Sequence, residues 1–222
     1  MSEMGDMPMP GGWTMSMMWM RMPGQSWMGA AASFLGMWIV MMVAMTLPSV
    51  SPALRRHRAV SSRRLTALVG AGYFFVWTVC GAVAFPVGVA LAALEMEHPA
   101  LARVVPLAVG VVVLVAGALQ VTAWKARQLA CCREALPPTH PGARAAWRRG
   151  LRLGWDCVRC CAGATAILLV VGVMDLRAML VVTLAITLER LAPAGQRIAR
   201  AIGVVVVVGG VVLIARAGYS FQ

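Results

Sequence analysis

The chain has 222 residues, of which 60% are hydrophobic and only 13% charged. A soluble domain of that length has too little interior to hide so much apolar surface, which excludes an ordinary aqueous globule. The formal net charge of +12 would suit nucleic acid, but the basic residues sit between apolar runs, where orientation in a bilayer explains them and nucleic acid is not needed.

Residues 1–20 carry Glu3 and Asp6, no Arg or Lys, and many Met, Pro and Gly. A secretory signal opens on positive charge, so this segment does not read as one, and Met4, Met7, Met9, Met15 and Met17 are alternative starts. A bilayer core about 30 Å thick needs about 20 apolar helical residues. Runs of this kind follow at 27–47, 66–94, 101–124, 157–174, 177–191 and 198–215. The fifth is short and reads as little tilted or re-entrant. Pro48, Pro52, His98–Pro99, Pro137–Pro138, Pro193 and Gly195 mark the breaks. Pro86 and Pro106 fall inside runs and predict a kink or a broken first turn.

Charge assigns the sides. Arg55, Arg56, Arg58, Arg63 and Arg64 follow the first run, Lys125 to Arg159 holds eight basic residues, and Arg190, Arg197 and Arg200 lie between the last two runs. The other side keeps Arg21, Arg103, Arg177 and Arg216 with Glu3, Asp6, Glu95, Glu97 and Asp175. Positive loops stay in the cytoplasm. The expected fold is therefore an all-α, polytopic transmembrane helical bundle of about six helices with both termini outside. Residues 1–26 form a Met-rich extracytoplasmic segment, 27–216 the transmembrane domain and 217–222 a short tail. The expected location is multi-pass in a bacterial inner membrane, with the lipid bilayer as main partner.

Sulfur carries the chemistry. Fourteen of the 17 methionines fall within residues 1–45. Met17 and Met20 belong to the outer segment Met15–Met22, while Met37, Met41 and Met45 recur at i, i+4, i+8 on one helix face, with Met42 beside them. Thioether sulfur is soft, uncharged and suited to Cu(I); equally, methionine is a pliable packing residue. Cys157, Cys160 and Cys161 share one helix face, and Cys131 and Cys132 follow the third run. All five are expected at the cytoplasmic side, where thiols stay reduced and a cluster could hold copper or, less readily, zinc. Lys125, Arg127, Arg133, Arg152 and Arg159 nearby would favour thiolate. Cys80 reads as packing. An outer loop, Glu95-Met96-Glu97-His98 with Met174 and Asp175, offers harder donors, or is simply an acidic solvated loop. Asp156 and Arg159 are spaced to pair, and Glu189 can pair with a neighbouring helix; lying near the interface, these groups are equally explained by snorkelling. No Walker loop, Rossmann glycine pattern, HExxH or nucleophile elbow occurs, so the reading leans away from an enzyme.

Three pieces of the sequence resemble a bacterial family of predicted metal-binding integral membrane proteins, a domain of unknown function. They are Trp38 to Pro48, Lys125 with Cys132-Arg133, and Gly154-Trp155-Asp156-Cys157-Val158-Arg159-Cys160-Cys161 followed by Gly172 to Asp175 and Glu189-Arg190. The resemblance covers about residues 27–193. Gln128 stands where the family has a further cysteine, and Asp175 where it has asparagine. The resemblance implies a helical membrane fold and a bound metal, with no set activity.

These features lead to a copper-handling protein in which outer methionines gather Cu(I), the first helix passes it inward and the cysteines receive it. The alternative is a non-catalytic accessory subunit of a larger membrane complex, such as an oxidase or monooxygenase, docked through the Val-rich last helix with Gly203, Gly209 and Gly210 allowing close approach. A membrane thiol oxidoreductase fits least, because its cysteines belong outside and these are expected inside.

Overall fold

The computed structural model describes residues 6–9, 13–16, 19–21, 24–133, 142–172 and 175–219. Among them are a short antiparallel hairpin, β1 (Asp6–Met9) and β2 (Trp13–Ser16), and seven helices. The helices are α1 (Trp27–Val60), α2 (Arg63–Glu97), α3 (Pro99–Val121), α4 (Ala123–Arg133), α5 (Ala143–Val171), α6 (Leu176–Leu191) and α7 (Gly195–Tyr219). The fold is an all-α bundle, and α1, α2, α3, α5 and α7 are long and apolar enough to cross a membrane. The sixth expected span, α6, has 16 residues and is about 24 Å long at 1.5 Å per residue, short of a bilayer core.

Helix starts follow side-chain chemistry. Ser26 Oγ accepts from Gly29 N–H at 3.1 Å, Ser62 Oγ from Leu65 N–H, and the Asp175 carboxylate from Arg177 and Ala178. Each satisfies an amide that the first helical turn leaves without a partner. The carboxylate proposed from sequence as an outer metal donor is thus engaged in capping α6.

Two boundaries differ from the sequence reading. Pro48 and Pro52 do not end the first helix, which runs on to Val60. A proline deletes the bond to the carbonyl four residues back. Pro52 thereby frees the Pro48 carbonyl, and Ser51 Oγ donates to that oxygen at 3.2 Å. At the other boundary, α5 begins at Ala143, well before the apolar run at 157. Hydropathy marks the part of a helix that suits lipid, whereas the backbone stays helical through Arg144, Arg148, Arg149 and Arg152.

Pro106 and Pro86 are likewise carried within continuous helices. Pro106 frees the carbonyl of Ala102, which takes the indole N–H of Trp13 at 2.8 Å. The hairpin is thereby pinned to the start of α3. Trp19 follows, its ring tilted against Phe34 with centroids 5.3 Å apart and seated against Gly88 of α2, where a Cβ would overlap it.

Large apolar side chains cover the outside. Phe75, Val79, Val83, Val87 and Leu91 form an exposed stripe at four-residue spacing along α2, and α7 exposes Val204, Val205, Val208, Val211 and Val212. In water such surface would be a liability; in lipid it costs nothing. Close helix approach occurs where glycines meet backbone. A Cβ on Gly210 of α7 would stand 2.6 Å from Leu114 N on α3. Gly150 of α5 lies directly on the Val69 carbonyl of α2. The second contact sets the site, because it draws α5 against Tyr73.

Candidate functional site

The inward face of α1 repeats at three- and four-residue steps through Phe34, Trp38, Met41, Met42, Met45 and Ser49, all buried. On α5 the corresponding face is Gly150, Gly154, Cys157, Cys160 and Cys161, also buried. The opposite face of the same segment carries exposed Trp155, with the Arg159 guanidinium 5.3 Å above its ring. The Gly154–Cys161 motif is thus divided by helical periodicity into a sulfur face and a surface face.

Residues of the two sulfur groups share one core. Met41, Met42, Met45, Tyr73, Trp77, Cys157, Cys160, Cys161 and Leu168 belong to one contiguous buried cluster, and Met37 packs against it partly exposed. Sequence reasoning had set the thioethers and the thiols at separate stations of a path; the structure gathers residues of both sets into this one cluster. Tyr73 Oη donates to Cys157 Sγ at 3.0 Å, and Cys157 Sγ lies 3.9 Å from Cys161 Sγ. Among the described residues no three His, Cys, Asp or Glu side chains converge as a metal site. The cysteines therefore offer a close pair, Cys157 and Cys161, with Cys160 buried on the same face of α5.

The remaining expected ligands are more scattered. Met20 is partly exposed ahead of α1. Cys131 and Cys132 lie on the last turn of α4, their side chains outside the description, and Met17 and Met174 lie outside the described residues. Cys80 is a partly buried free thiol.

Sequence reasoning missed a polar belt around the thiols. Lys125 and Glu189 are 4% and 2% exposed and form an ion pair at 3.0 Å. Lys125 Nζ also donates to the Cys160 carbonyl at 2.6 Å, and Gln120 Nε2 donates to Glu189. Glu189 is thus no snorkelling surface carboxylate; it is locked inside the bundle. Next to it, Arg190 Nη1 donates to Ser49 Oγ at 3.1 Å, and Ser49 in turn donates to the Thr46 carbonyl at 2.9 Å. The signal available was the single lysine of the chain and a Glu-Arg pair set in an apolar helix, since ionisable groups at membrane depth point to function.

A family profile matches residues 35–213, and that family, PpoB2, is described as copper chaperone. The chain belongs to this copper chaperone family. The matched span contains Met37, the buried methionines of α1, all six cysteines and the Lys125–Glu189 pair. It also agrees with the metal part of the resemblance drawn from sequence. No curated protein and no solved structure matches the chain.

Proposed function

We propose that the protein is a multi-pass membrane carrier of Cu(I), holding the ion between the Cys157 and Cys161 thiolates and a thioether of α1. The observation that carries this reading is the buried thiol pair at 3.9 Å inside the cluster that also contains Met41 and Met45. With metal–thiolate bonds of about 2.3 Å, sulfurs that far apart subtend roughly 115° at the ion. That angle suits a three-coordinate centre and asks for one further soft donor. Met41 and Met45 supply such donors without deprotonation, while the two thiols must release protons. Copper is the cargo here, and family membership supports it over zinc.

The outer methionines Met17, Met20 and Met37 are the collecting end of the path. Cys131 and Cys132, at the end of α4, are the delivering end. In this reading α6 crosses untilted as a sixth, short span, and the arginine-rich connections support α4 and the start of α5 on the cytoplasmic side with both termini outside, in the inner membrane of a bacterium. A reporter fused after Gln222 should therefore be active only outside the cytoplasm.

The direct test is loading of the purified full-length protein, in detergent, with Ag(I) as a redox-inert stand-in for Cu(I). One tightly bound ion per chain is expected, lost in a C157S/C161S variant and weakened at least about tenfold in M41L/M45L. Unchanged binding in the cysteine variant would reject the site.

A further inference from the structure

Trp77 of α2 is 2% exposed, and among the described residues its indole Nε1–H is a buried donor without a hydrogen-bond partner. A donor left in that condition destabilises the fold, so its retention calls for an acceptor that arrives later. The rest of the residue is held firmly. Its carbonyl accepts from Trp38 Nε1 of α1 at 2.9 Å, and the Trp38 ring lies against Gly81, one turn further along α2. Helix register relates the idle donor to the thiols. α2 and α5 run side by side in the same direction. Gly150 meets Val69 and Gly72, and Gly154 meets Tyr73 and Val76, four residues further on along both helices. In this register Tyr73 Oη reaches Cys157 Sγ at 3.0 Å. One more turn on each helix leads from Tyr73 to Trp77 and from Cys157 to Cys161. All four residues belong to the same contiguous buried cluster.

We infer that Trp77 is a positioning residue for the loaded site, its indole N–H kept in reserve to donate to the Cys161 sulfur once that sulfur is a metal-bound thiolate. The inference rests on the thiol pair being the metal site and names a group that steadies it. When the ion enters, Cys157 and Cys161 each release a proton to the medium and each forms one sulfur–metal bond. An anionic sulfur accepts a stronger hydrogen bond than a thiol does. Cys157 already has the Tyr73 hydroxyl; Trp77 supplies the equivalent donor one turn away. Donors of this kind, outside the ligand shell, fix the ligands in place and tune their affinity. The two aromatic residues differ in when they act. The Tyr73 bond exists before loading, so most of its worth cancels from the affinity. The Trp77 bond forms only on loading, so nearly all of its worth appears there.

The experiment follows the indole N–H signals of the eight tryptophans by NMR as Ag(I) is added to the purified full-length protein in detergent. W77F identifies the signal of Trp77. On loading, that proton should move downfield and exchange more slowly with solvent, and neither change should occur in C157S/C161S. W77F should weaken Ag(I) binding about tenfold or more, the worth of a hydrogen bond to a charged acceptor. It should also raise the pH at which binding is half-complete, because a thiolate that loses a donor is harder to form. Y73F should show neither effect to that extent. Ag(I) binding that moves none of the eight indole signals downfield would overturn the inference even if W77F failed to fold. So would a shift confined to an indole that W77F retains, or a W77F protein whose affinity and pH profile are unchanged. Ag(I) binding that survives C157S/C161S would instead reject the thiol site itself, whereas binding lost in C157S/C161S with the Trp77 signal unmoved would reject the role of Trp77 alone.

Discussion

Two buried polar centres lie within one bundle and are built on opposite principles. The Lys125–Glu189 pair is closed: its ammonium has a carboxylate and the Cys160 carbonyl, and its carboxylate has the Lys125 ammonium and Gln120. The Cys157–Cys161 pair is built of sulfur: Tyr73 donates to Cys157, whose sulfur lies 3.9 Å from that of Cys161. The first is complete as folded and fastens α3, α4, α5 and α6 together. In the proposed function, the second is completed by a bound ion. Buried charge and buried sulfur adjoin through Cys160, whose carbonyl takes the Lys125 ammonium.

The largest effect should come from breaking the closed centre. Glu189→Gln leaves the Lys125 ammonium without its carboxylate, and removing one partner of a buried pair costs about 3–5 kcal/mol. Denaturant unfolding in detergent should show that loss, while the fraction still folded keeps one Ag(I) per chain. Replacing both partners, as in K125M/E189L, should recover most of the stability, because an apolar pair of similar size has no charge to strand.

An intermediate effect is expected at the seam that aligns the two centres. In Gly150→Ala the new methyl meets the Val69 carbonyl and the Gly72 backbone. Separating α2 from α5 should cost about 1–3 kcal/mol, as overpacking does. It should also weaken Ag(I) binding, because Tyr73 and Cys157 ride on the two separated helices. A variant that lost stability but bound Ag(I) unchanged would show that the thiol pair needs no support from α2.

The smallest effect should be at the edge of the sulfur centre. Tyr73→Phe removes the phenol that donates to Cys157 at 3.0 Å, worth about 1 kcal/mol of stability. Ag(I) affinity should move only a few-fold. Binding should strengthen as pH rises, because each thiol must shed a proton before it ligates. The same titration on M41L/M45L should keep that slope, since thioethers carry no proton to lose.

Much of this molecule could be read in its order of residues. Apolar runs located the five long helices, and the i, i+3, i+4 spacing put Cys157, Cys160 and Cys161 on one face. What escaped were relations between distant segments. Lys125 and Glu189 each sit at the end of an apolar run, and one-dimensional hydropathy assigns such residues to the interface; their pairing depends on how α4 and α6 pack around α5. That Met41 and Met45 share one buried cluster with the thiols depends in the same way on how α1 packs into the bundle. Pro48 and Pro52 misled for a more local reason, since the rule that proline ends a helix ignores a serine placed to occupy the freed oxygen.

Pro106 and Trp13 carry one more consequence. The indole that meets the Ala102 oxygen makes the amino-terminal hairpin a structural stopper for a buried acceptor that a proline has freed. Shortening the chain past Trp13 would strand that acceptor in oil, and a label attached to the hairpin would inherit a fixed address beside α3.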